Sequence, residues 1–147
     1  MPAGPGRTTL APGEVVLALR LPDRGPRGAD AYQRLIPRTE MDIAVVGCAV
    51  SLQLDAAGRV TDARVSLGAV APTALLVTDA AQALVGSTLD AAALSKLEAA
   101  ARAACKPIDD KRGTAKYRIH VAGVLARRVA QQAYQRAQQR AASESRA

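Results

Sequence analysis

The chain has 147 residues, 49% hydrophobic and 22% charged, with no Trp, no Phe, three Tyr, two Cys and a net charge of +7. This aliphatic content excludes a disordered chain; the scattered Gly and two Cys exclude collagen-like and disulfide-framed folds; no apolar run reaches the ~20 residues of a membrane span. Scarce rings argue against single-strand nucleic-acid binding by base stacking, and one compact domain is the expected count.

Residues 1–13 are rich in Pro and Gly and read as an extended lead-in without the basic-then-apolar layout of a signal peptide, so a cytoplasmic protein is expected. EVVLALRLP (14–22) alternates apolar side chains and stops at Pro22, which predicts a strand. DRGPRG (23–28) is a loop, and AYQRLIPR (31–38) predicts a second strand. Two further apolar runs, 43–55 and 59–70, flank Asp55–Gly58, whose turn chemistry predicts a β-hairpin.

Helices follow. Thr78 is placed to cap a short helix that Gly86 closes. Leu89–Cys105 carries Leu94, Leu97, Ala101 and Ala104 on one face, with Asp90 as a capping acid. After the loop KPIDDKRG (106–113), Thr114 caps a helix of about 28 residues, ~42 Å if unbroken. Its apolar stripe is read as Tyr117, Val121, Val124, Leu125 and Val129, and residues 143–147 as a loose tail. Strands first and helices second predict an α+β fold: a small antiparallel sheet of about three strands packed with a three-helix bundle.

The charge is uneven. Residues 1–110 carry 11 Lys/Arg against 12 Asp/Glu, whereas residues 111–147 carry 9 against Glu144 alone. A basic helix of this kind suits nucleic acid or an acidic partner, or is simply a solvated face. Arg127, Arg128, Arg136 and Arg140 spread around the helix with no reading motif beside them, which disfavours nucleic acid.

No self-sufficient active site is visible. His120, the single histidine, has no Cys or His one turn away and reads as structural. Cys48 and Cys105 lack the spacing of a metal or cluster site and read as buried free thiols. Phosphate-cradling and nucleophile motifs are absent. Asp109 and Asp110 read as helix-capping and ion-pairing acids rather than general acid and base. Asp42, four residues after Arg38, reads as a polar anchor with a site residue as the alternative. No catalytic residue and no metal ligand is assigned.

Three stretches, AYQRLIPRTEMDIAVVGCAV (31–50), LGAVAPT (67–73) and KPIDDKRGTAKYRIHVAGVLARR (106–128), resemble in order and spacing the C-terminal domain of the flavoprotein (medium) subunit of the carbon monoxide dehydrogenase/xanthine dehydrogenase molybdenum hydroxylase family. GRTTLAPGEVVLALRLP (6–22) is similar to the last strand region of that subunit's FAD-binding domain, so the resemblance runs from Gly6 to about Ala137. It implies residues 1–28 as the end of the FAD-binding domain and linker, 29–142 as the C-terminal domain, and 143–147 as the tail. It also implies a module that helps enclose FAD and assemble a complex passing electrons from an iron–sulfur subunit to an external acceptor, with a large molybdenum-cofactor subunit as further partner.

By the same resemblance, Tyr32, Gln33 and Arg34, followed by Arg38 and Asp42, match a family pattern in which a Lys at the Arg34 position contacts FAD; Arg keeps the charge but replaces a point donor with a planar fork. Val16 matches an apolar residue near the flavin. The family's Gly-rich pyrophosphate loops are not in this sequence, which implies that the chain alone does not bind FAD tightly. The alternatives are an orphan fragment or plain interaction module, and, less favoured, a nucleic-acid binder acting through the basic helix.

Overall fold

The computed structural model describes residues 2–22, 24–38 and 42–144. A four-stranded antiparallel sheet, ordered β3-β4-β5-β6, is built from β3 (Gly28–Leu35), β4 (Val46–Leu54), β5 (Val60–Gly68) and the two-residue β6 (Leu75–Leu76). A separate exposed ribbon pairs β1 (Pro2–Gly4) with β2 (Arg7–Thr8). Three helices, α1 (Thr78–Gln82), α2 (Ala91–Ala104) and α3 (Ala115–Glu144), complete the α+β fold. β6 is one strand more than expected; its two residues carry too little pattern to register as a strand.

The central hairpin forms where its turn residues place it. The Asp55 carboxylate accepts from the N–H groups of Ala57 and Arg59, both at 2.8 Å, and Gly58 takes φ +79°, a conformation that favours glycine. From α3, the Tyr134 hydroxyl donates to the Gly58 carbonyl at 2.7 Å, tying the long helix to this turn.

Alternation sorts the sheet into two faces. Val46, Cys48, Val50, Leu52 and Leu54 of β4, with Ala63, Val65 and Leu67 of β5, point into the core. That face is covered by α3, which lies across β3 and β4 and also packs on α2, while α1 packs against α2 and β5. The buried stripe of α3 is Arg118, Ala122, Leu125, Ala126, Val129, Ala130, Ala133 and Ala137. This corrects the expected stripe: Tyr117 is exposed and Val121 and Val124 are only half-buried, because small Ala residues rather than the larger side chains face the sheet. Gly123 lets α2 approach, since a Cβ there would stand 2.4 Å from the Arg102 Nε.

Caps explain the helix starts. Asp90 caps α2 by accepting from Ala93 N at 2.9 Å, and the Thr114 hydroxyl accepts from Tyr117 N at 3.1 Å in α3. Thr78 does not cap α1. Val77 takes that place, because its N–H is still paired with the Val65 carbonyl of β5. Residues 143 and 144 of the expected loose tail belong to α3, which runs on to Glu144; residues 145–147 lie outside the described residues.

The clearest departure is residues 14–22. They form no strand, and Val15, Val16, Leu17, Leu19 and Leu21 are all exposed, Leu19 by 86%. Alternation alone does not make a strand without a neighbouring edge to bond and an apolar layer to cover it.

Candidate functional site

Among the described residues, no helix covers the outer face of the sheet. On β3, Ala29, Ala31, Gln33 and Leu35 turn toward α3, where Gln33 donates to Gln132 at 3.3 Å. The same alternation turns Tyr32 and Arg34 outward, and both are exposed, Tyr32 by 61%. Arg34 stands in register with Gly47 of β4 and, beyond it, Gly68 of β5. Tyr32 stands in register with Ala49, then Ser66, then Leu76, itself 69% exposed. A cation and a phenol ring thus rise at one edge of a floor of small residues, with an apolar side chain opposite.

Two glycines keep that floor low. A Cβ on Gly47 would come within 3.1 Å of the Tyr32 hydroxyl, so the ring lies where a side chain would otherwise stand. A Cβ on Gly68 would meet nothing within 4 Å, which leaves the second half of the floor open. Small residues at alternate positions of β4 and β5 are the sequence signal for this bare face, and only its Tyr32 and Arg34 edge was anticipated.

Beside the face sits an ion cluster. The Asp42 carboxylate, only 4% accessible, accepts from Arg112 Nε at 3.1 Å, Arg38 Nε at 3.3 Å and the Ile43 N–H at 2.8 Å. The Arg112 hydrogen bond, foremost, holds its carboxyl below the usual carboxylate range. Asp42 and Arg38 therefore anchor the segment between β3 and β4, matching the plainer of the two readings. Asp109 accepts from Ala115 N and Asp110 pairs with Arg118 at 2.5 Å, so both acids serve the start of α3.

Arg118 escaped notice in the sequence. It is 3% exposed and donates through Nη1 to the carbonyls of Val45 at 2.7 Å and Ala69 at 3.3 Å. With Asp110 it joins the segments flanking the sheet to the root of α3. Its place one turn before Ala122 and two before Leu125 was the available signal: an arginine on an apolar helix face is a buried tether.

Other candidates separate from this face. Val16 lies in the exposed segment 14–22, and no described contact joins it to Arg34. His120 is exposed on α3. Cys48 and Cys105 are free and buried; desolvation pushes the Cys48 thiol up to about 12 and raises that of Cys105. Among the described residues, no His, Cys, Asp and Glu converge to hold a metal. The basic segment is partly consumed inside the fold: Arg112 and Arg118 are paired as above, and Arg127 bonds Glu98 at 3.0 Å. No helix of the described residues is long and apolar enough to cross a membrane.

The face presents a planar cation, an exposed ring and an open floor of small residues that includes Ser66. Known proteins match the chain as a whole. Residues 30–133 match the CO dehydrogenase flavoprotein C-terminal domain. The carbon monoxide dehydrogenase medium chain of Afipia carboxidovorans is 38% identical over 130 residues, covering 88% of this chain and 44% of that protein. The medium chain of Hydrogenophaga pseudoflava is 33% identical over 129 residues, with the same coverage. The solved structure of a cyanide-inactivated Cu,Mo-CO dehydrogenase matches with TM-score 0.85 and 38% identity over 90% of this chain and 46% of that one. The chain spans less than half the length of these relatives.

Proposed function

The chain belongs to the CO dehydrogenase flavoprotein C-terminal domain family, and from that premise we propose that it is a binding and assembly module of an oxidoreductase complex. Its outer sheet face closes one side of an FAD held mainly by an FAD-binding portion outside this sequence. When bound, the flavin supplies electron transfer between an iron–sulfur subunit and an external acceptor, and a large molybdenum-cofactor subunit completes the assembly. The observation that carries this reading is the outward pair Tyr32 and Arg34 above the low floor of Gly47 and Gly68.

Arg34 is suited to hold an electron-rich edge of a planar ring system, because a guanidinium presents several N–H donors in one plane. The exposed Tyr32 ring offers a flat apolar wall beside it. Val16 and its apolar neighbours approach the flavin only once residues 14–22 pair with a strand of the FAD-binding portion, which also buries surface now open to water.

Purification of the native assembly from its source cells, by a tag on this chain, tests the reading. The expected product is coloured, with flavin and iron–sulfur absorbance and larger co-purifying polypeptides. Arg34→Ala is expected to lower flavin retention about tenfold or more, the cost of one charged hydrogen bond. A colourless chain without partners would refute the assignment and leave a plain interaction module or orphan fragment.

A further inference from the structure

A second surface adjoins Tyr32: Asp30 lies two residues before it on β3 and stands in register with Ser51 of β4 and Arg64 of β5. A depression of about 390 Å³ opens between the loop before β3 and the last turns of α3, lined by Arg24, Asp30, Arg136, Gln139, Arg140 and Ser143. Three guanidiniums there face one carboxylate. Asp30 organises two of them: its carboxylate pairs with Arg24, and its backbone carbonyl accepts from Arg136 Nη1 at 2.9 Å. Arg140 lies one turn beyond Arg136 on the same helix face. The depression runs through Arg24 and Asp30 into a second groove of about 360 Å³, bordered by Leu21, Ser51, Gln53 and the oppositely charged Asp62 and Arg64.

We propose that this double groove docks an extended acidic segment of a partner protein, its carboxylates on Arg24, Arg136 and Arg140. Across the two halves four guanidiniums, one of them paired with Asp30, stand against two carboxylates, a positive surplus that favours an anionic occupant, and guanidinium forks match carboxylates in two-point fashion. The two adjoining halves leave room for more than a single ion, each being many times the ~30 Å³ share of one water. Charge pairs this open are weak until a covering partner excludes water, so the surface favours a macromolecular occupant. The groove continues the outer sheet face from Tyr32 to Asp30, but peptide binding by the chain and flavin retention by the assembly are separate readouts, so either reading can fail while the other holds.

Calorimetric titration of the full chain with a hexaglutamate peptide at low salt tests it. The peptide is expected to bind with affinity that falls as salt rises, and the double variant Arg24→Glu, Arg140→Glu is expected to weaken it about tenfold. The control Lys116→Glu, Arg128→Glu changes net charge equally at exposed positions outside the groove and is expected to leave binding within about twofold. If the first variant melts early, Arg140→Gln alone, an exposed change, is expected to lose about threefold. Equal loss in the control would overturn the proposal by showing bulk charge at work. Inorganic phosphate competing as strongly as the peptide would reassign the groove to a free anion. Tighter binding of a short DNA duplex would make it a nucleic-acid surface, and absence of peptide binding would remove it.

Discussion

Strand β4 and residues 14–22 carry similar apolar alternation and meet opposite fates. β4 lies between β3 and β5 with Val46, Cys48 and Val50 fully buried. Residues 14–22 stand unpaired, with five large apolar side chains in water. Alternation therefore reports the capacity to be a strand, and the presence of an edge and a covering layer decides whether it becomes one. Large exposed apolar patches on soluble proteins commonly mark interaction sites, and residues 14–22 form such a patch.

The largest expected effect comes from breaking what closes the packed region. Arg118→Ala strands the partners of a buried cation and is expected to cost about 3–5 kcal/mol, read from denaturant unfolding. A loss under about 1 kcal/mol would mean that the tether is dispensable. Next comes the direct contrast of two leucines. Leu67→Ala in β5 is expected to cost about 2–5 kcal/mol, whereas Leu19→Ala in the open segment should stay within about 0.5. Comparable losses at both sites would show that residues 14–22 are packed in solution and would erase the comparison.

Acid sharpens the contrast more gently. Asp42 and Asp110 both titrate below the ordinary value of 3.8, held there first by Arg112 and Arg118 respectively. Their folded pKa lies under the unfolded one, so the stability they give is full above that value and lost as pH falls through the lowered one. A melting-temperature profile should therefore drop below pH 4, and Asp42→Asn should flatten that drop while lowering the plateau. An unchanged profile in the variant would show that the Asp42 pairs contribute nothing.

Much of the fold was legible because its signals are local. The Asp55–Gly58 turn, the Asp90 and Thr114 caps and the β4–β5 hairpin depend on residues within a few positions of one another. What escaped depends on distance in the chain. Whether residues 14–22 pair is decided by a neighbour, Thr78 loses the cap position to Val77, whose N–H donates to the Val65 carbonyl, and the inward face of α3 is chosen by the fit of Ala against the sheet. Of the candidate site, the outward direction of Tyr32 and Arg34 follows from alternation, but the floor beneath them exists only through the register that aligns Gly47 with Gly68.

The alanine contact between α3 and the sheet has a thermal consequence. Ala122, Ala126, Ala130, Ala133 and Ala137 are all fully buried. Alanine has no rotamers to freeze, so this contact forms without side-chain entropy loss, and each residue hides little apolar area. Heat-capacity change on unfolding follows exposed apolar area, so this contact adds little to it per residue. A helix seated this way contributes to a stability curve that is flatter with temperature, holding its grip on the sheet over a broad range instead of peaking sharply.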